Sequence, residues 1–102
     1  MENFNAPPIQ QPLPALQECV QLFSEAATEP VVQGAYLFRL AAKAKDALDA
    51  TFGAHNRHAA GLVHIVMGNV KSARDDVPAF VSAQLLHLMQ HAAQMQRQAV
   101  AA

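Results

Sequence analysis

Apolar residues recur along this chain at three- and four-residue spacing, a period that predicts helices. Leu16, Cys19, Val20, Phe23 and Ala27 fall on one stripe, with Glu18, Gln21 and Glu25 on the other side. Pro14 suits a first helical turn, so helix one is expected from Leu13 or Pro14 to about Ala27. Thr28-Glu29-Pro30 ends it and starts the next, with Thr28 or Glu29 as cap and Pro30 at the first helical position. Helix two then runs from Pro30 to about Thr51 on the stripe Leu37, Leu40, Ala41, Ala44 and Leu48, widened by Tyr36 and Phe52. Lys45 and Asp49, four apart on its wet side, are placed to pair. Gly53 suits the position just past its end.

Asn56 is a good cap for a third helix, expected to reach Arg74 on the stripe Leu62, Ile65, Val66, Val70 and Ala73. Residues 58–70 hold no formal charge apart from what His58 and His64 carry, so this helix is expected to be mostly surrounded by protein. Gly61 and Gly68 share a face, and glycine inside a helix costs about 1 kcal/mol against alanine. The pair therefore predicts close approach by a neighbouring helix. Asp75-Asp76-Val77-Pro78 is a break whose two aspartates suit a helix start, where the macrodipole favours them. Helix four is expected from Pro78 to about Ala99. Its stripe is Val81, Leu85, Leu88, Met89, Ala92 and Met95, beside a polar stripe of Gln84, His87, His91, Gln94 and Gln98. No charged residue stands between Asp76 and Arg97.

Valine and isoleucine never alternate with polar residues over a strand length, so β-structure has little support. The expected fold is all-α, a small bundle of about four amphipathic helices over residues 13–102. Residues 1–12, with Pro7, Pro8 and Pro12, are expected to form a flexible tail. A chain of 102 residues hides only about 60–65% of the surface it exposes when unfolded, so association would help it.

Charge narrows the function. The formal net charge is −1, and only 15% of residues are charged, against about 25% in typical domains. Arg39, Lys43, Lys45, Lys71 and Arg74 are split between helices and balanced by Asp46, Asp49, Asp75 and Asp76. No basic stripe with aromatic platforms recruits nucleic acid, and no field of either sign recruits anionic lipid. No run of about 18 apolar residues predicts a membrane span, and Met1 to Pro14 lacks the basic and apolar regions of a signal peptide. The single cysteine, Cys19, fits a reducing compartment, and a cytoplasmic, bacterial setting is expected.

Candidate chemistry is sparse. Cys19 lies on an apolar stripe and reads as core. His87 and His91, four apart, make a workable metal pair without a third ligand, and read as surface or interface. No phosphate loop, carboxylate pair or nucleophile elbow is present, so no catalytic residue, metal or cofactor is expected. His58, with Gly61 at +3 and Gly68 at +10, resembles the phospho-accepting helix of small four-helix histidine-phosphotransfer domains. That family also places Lys at +3 and Gly at +4, where this chain has Gly61 and Leu62. The resemblance implies an exposed, mid-helix His58 and a docking partner.

The favoured expectation is a non-enzymatic protein–protein interaction module, a homodimer, that regulates a partner protein by occupying its surface. In class it is similar to small bacterial anti-activators that sequester a transcription factor, to anti-sigma-like inhibitors and to secretion chaperones. The mode would be helix-in-groove. The residues expected to bind are Val81, Leu85, Leu88, Met89, Ala92 and Met95 of helix four, then Leu16, Val20 and Phe23 of helix one, a terminal helix behind a mobile tail that can detach and rebind elsewhere.

Overall fold

A computed structural model describes residues 12–101, with side chains over 14–99. The expected tail lies outside the described residues, apart from Pro12. Four helices appear in the described part: α1 (Pro12–Ala26), α2 (Gly34–Phe52), α3 (Arg57–Asn69) and α4 (Ala79–Ala101). Two three-residue strands, β1 (Val31–Gln33) and β2 (Asp76–Pro78), lie between them in sequence. The all-α expectation holds for the body of the molecule. The extents, 49 × 25 × 19 Å, are those of an elongated bundle. Packing is most extensive between α1 and α4, then between α1 and α2, while α3 leans on α2 and α4.

The core explains the order. Leu16, Cys19 and Phe23 of α1 meet Leu37 and Leu48 of α2 and Val81, Leu85 and Met89 of α4, all essentially without solvent contact. Ala41, Ala44, Ala47, Ala59, Ala92 and Ala93 are buried among them. Alanine on an inward face brings helix backbones together, and four short helices then suffice to enclose the larger side chains. One buried polar group stands out: Ser82 is fully enclosed and its Oγ has no hydrogen-bond partner among the described residues.

The helix junctions depart from expectation in one region. Thr28 does not cap α2; its hydroxyl donates to the Glu25 carbonyl at the end of α1 (2.7 Å). Nor is Pro30 a first helical residue. Val31–Gln33 is extended and pairs antiparallel with Asp76–Pro78, Val32 opposite Val77. Helix α2 therefore starts four residues late, at Gly34, and Gln33 makes no side-chain cap. Its orphan N–H groups find backbone instead: Gly34 N–H donates to the Asp75 carbonyl (2.8 Å) and Ala35 N–H to that of Ala73 (2.9 Å). Gly34 sits so tightly there that a Cβ would overlap the Ser72 carbonyl oxygen.

The other side of this contact explains why α3 stops at Asn69 and not at Arg74. Val70 is extended, and the Asp75 carboxylate accepts the N–H groups of Lys71 (2.7 Å) and Ser72 (3.0 Å) and the Ser72 hydroxyl (3.1 Å). These bonds hold the carboxyl below its usual range. Asp75 thus closes a turn, Asp76 lies in a strand, Ala73 is exposed, and neither aspartate starts a helix.

At the opposite end the expectation holds. Gly53 ends α2 at φ 87°, and Asn56 caps α3 by accepting the Ala59 N–H (2.8 Å). Asn56 also donates to Asp49 and to the Gly53 carbonyl. Lys45 pairs with Asp49 at 2.8 Å.

Candidate functional site

Helix α3 is the least enclosed of the four, with Ala59, Leu62 and Val66 its buried residues. The charge-free run from 58 to 70 is therefore not wrapped by the other described residues. Met67 is 67% and Val63 39% exposed, and Ala60, His64 and Gly68 also face outward. The close backbone approach expected at the two glycines is met at neither. A Cβ at Gly61 would touch the Leu88 side chain at 3.2 Å, while nothing lies within 4 Å of Gly68.

A furrow runs along each flank of α3. The smaller, about 220 Å³, lies against α2 beside Phe38, Ala42, Val63 and Met67. The larger, about 1210 Å³, lies between α3 and α4. Arg57, His58 and Ile65 line it from α3; Ala83, Gln84, His87, Leu88, His91 and Met95 line it from α4. From Ala83 to Met95 the wall spans about 18 Å, roughly three helical turns. Ile65 and Leu88 are half-buried in its floor, and Met95, 43% exposed, sits at one end. Among the described residues no carboxylate lines it and none lies in ion-pair range of Arg57.

One end of the furrow is held by a stack of rings. His58 stacks on Phe52 at the end of α2, with centroids 5.3 Å apart and planes 24° apart. Its Nε2 lies 3.1 Å from Nδ1 of His91, so one imidazole N–H donates to the other ring's lone pair. Three helices meet through these rings. Partial burial, and then the nearby His91, push the His58 pKa below its ordinary value. His58 is the second residue of α3, half-buried and engaged, not an exposed mid-helix acceptor of the phosphotransfer kind. His87, one turn before His91, is exposed in the same furrow. Among the described residues no three histidine, cysteine, aspartate or glutamate side chains converge to hold a metal ion. Burial raises the Cys19 thiol pKa, as a core position would.

The residues expected to bind a partner divide sharply. Val81, Leu85, Met89 and Ala92, with Leu16 and Phe23, have essentially no solvent contact, because the apolar stripes of α4 and α1 face each other. All are core in the folded chain, which corrects the reading of the helix-four residues as surface; Leu16 and Phe23 of helix one could meet a partner only if that helix detached. Val20 and Leu88 remain half-buried and Met95 exposed. The helix-four stripe that faces outward is the uncharged polar one, Gln84, His87, His91, Gln94 and Gln98, together with Ala83. Val63, Ile65 and Met67 were not expected at a surface, although the charge-free run that contains them is visible in the sequence.

No known protein family, curated protein or solved structure matches this chain. Among the described residues no helix is long and apolar enough to cross a membrane.

Proposed function

We propose that this chain is a non-enzymatic interaction module that regulates a partner protein by docking it on the α3–α4 face. One observation carries the reading. Ile65 of α3 and Leu88 of α4 floor an open furrow that continues to exposed Met95, along a stretch of α3 free of Asp, Glu, Lys and Arg from 58 to 70, while Val63 and Met67 stand exposed on the opposite flank of that helix. Exposed apolar surface in contiguous patches marks interaction sites, whereas scattered single residues do not. A binding face depleted of charge at its centre also matches the composition of interface cores. The furrow is open along its exposed wall, which suits a helix laid in a groove.

The test uses substitutions at exposed positions, where folding is undisturbed. Ala83→Glu and Met95→Glu place a carboxylate on the furrow wall, and Gln17→Glu on α1 is the control. Native complexes carrying each variant are compared by size-exclusion chromatography of cell extract. The expected result is a complex kept by wild type and Gln17→Glu and lost by both furrow variants. The same complexes with all four proteins would overturn the proposal.

A further inference from the structure

The furrow's chemistry narrows its occupant, on the reading that α3–α4 is the docking face. Its floor is apolar, and each of its polar side chains carries an N–H donor. Arg57 brings a guanidinium, His58, His87 and His91 bring imidazoles, Gln84 brings an amide, and no carboxylate is present among the described residues that line it. No acid among the described residues pairs with Arg57. Among the described residues Lys43 pairs with Glu18 at 2.9 Å and Lys45 with Asp49 at 2.8 Å, whereas Arg57, like Arg39, Lys71, Arg74 and Arg97, makes no ion pair, so what sets Arg57 apart is its place in a furrow lined by no described carboxylate.

Its open wall separates a helix from a small ligand. Small-molecule clefts run from about 300 to 1,000 Å³ and enclose most of the ligand. This furrow, about 1210 Å³, is a trough whose α4 wall is exposed at Ala83, Gln84, His87, His91 and Met95. A second copy of this chain fits the trough poorly, because it would set the same guanidinium and imidazoles against themselves.

We propose that the α3–α4 furrow takes a short amphipathic helix of a partner protein that carries carboxylates along one edge. The helix sets its apolar side on Ile65, Leu88 and Met95 and turns its carboxylates toward Arg57 and the imidazoles of His87 and His91. Apolar anchors at i, i+3 or i+4, and i+7 match a floor of this length. The carboxylate–guanidinium contact supplies orientation, since Arg presents a planar fork to a carboxylate.

The test pairs the isotope-labelled full chain with two synthetic helices of roughly 14 residues, about four turns. Both carry leucine at i, i+4, i+7 and i+11; one flanks the leucines with Glu, the other with Gln. Binding is followed by amide chemical shifts. The Glu peptide is expected to move resonances of residues 57–65 and 83–95 and to bind roughly tenfold tighter than the Gln peptide, a difference of about 1.4 kcal/mol. Arg57→Ala, at an exposed position, and about 0.5 M salt are each expected to erase most of that ratio. Equal affinity of the two peptides, shifts centred elsewhere, or no binding by either would overturn the proposal. Shifts of 83–95 that appear on concentrating the chain alone would make the occupant a second copy. That outcome sinks the acidic helix and leaves the interaction-module reading standing, which falls separately if the furrow variants keep their cellular complexes.

Discussion

Substituting Gly34 by alanine tests the junction that sets the entire architecture. Alanine for glycine inside a helix ordinarily gains up to about 1 kcal/mol. At Gly34 the sign reverses. The added Cβ would overlap the Ser72 carbonyl oxygen and lie 2.9 Å from Cγ1 of Val70. The Ser72 oxygen is backbone, in a turn fixed by three hydrogen bonds to Asp75, so it yields only if the turn moves. Overpacking of this sort costs about 1–3 kcal/mol. A displaced turn also strains the bonds from Gly34 to Asp75 and from Ala35 to Ala73, each worth about 1 kcal/mol net. The expected loss is about 2–4 kcal/mol, or roughly 10–20 °C in Tm for a domain of this size. Gly68→Ala is the internal reference, because nothing lies within 4 Å of that Cβ, and it should gain up to about 1 kcal/mol. Urea unfolding followed by far-ultraviolet circular dichroism measures both. A Gly34→Ala protein as stable as wild type, or more so, would refute the close approach and with it the seating of α2 on the 71–75 turn.

Three further outcomes follow from buried and titrating groups. Ser82→Ala removes an enclosed hydroxyl without a partner and should be neutral or stabilising by about 1 kcal/mol in the same assay, whereas a large loss would mean the hydroxyl is bonded. His58 titrates below its ordinary 6.5 in the folded chain, so the unfolded chain binds the extra proton first, and stability falls as pH drops through and below 6.5. His58→Gln should flatten that part of a Tm-against-pH profile, and an unchanged slope would contradict the ring stack. Asp75 has the opposite kind of shift: its folded pKa lies below 3.8, so its contribution is present above that value and is lost as pH falls further. Asp75→Ala should lower the Tm at neutral pH and weaken the acid dependence below pH 4, and a Tm equal to wild type at neutral pH would contradict its role in the turn.

Much of the bundle was legible in the sequence, for identifiable reasons. Long apolar stripes at helical period mark α1, α2 and α4, and Asn56 and Gly53 act through local backbone chemistry that needs no tertiary context. The ribbon was not legible, because a three-residue strand is too short to show alternation. Its pairing partner, Asp76–Pro78, lies far along the chain. Asp75 read as a helix start because an aspartate that gathers a turn's N–H groups and one that caps a helix look the same in sequence. The direction of α4 was misjudged through its surplus of apolar side chains. Buried alanines on facing helices let four short elements close over Leu85 and Met89, so the surplus disappears inside. The face that stays open belongs to α3, because an uncharged run looks the same in sequence whether protein encloses it or a partner covers it. His58 and His91, 33 residues apart, meet by tertiary packing that no spacing announces.

The central claim is that contact with a partner occurs along the α3–α4 furrow, and site-specific photo-crosslinking in the native cell tests it most directly. A photoreactive amino acid is placed at exposed His87 in the furrow or, as control, at exposed Asp46 on α2. A discrete cross-linked protein species from His87 and none from Asp46 is the predicted result. Adducts of equal yield from both positions, or from Asp46 alone, would contradict it.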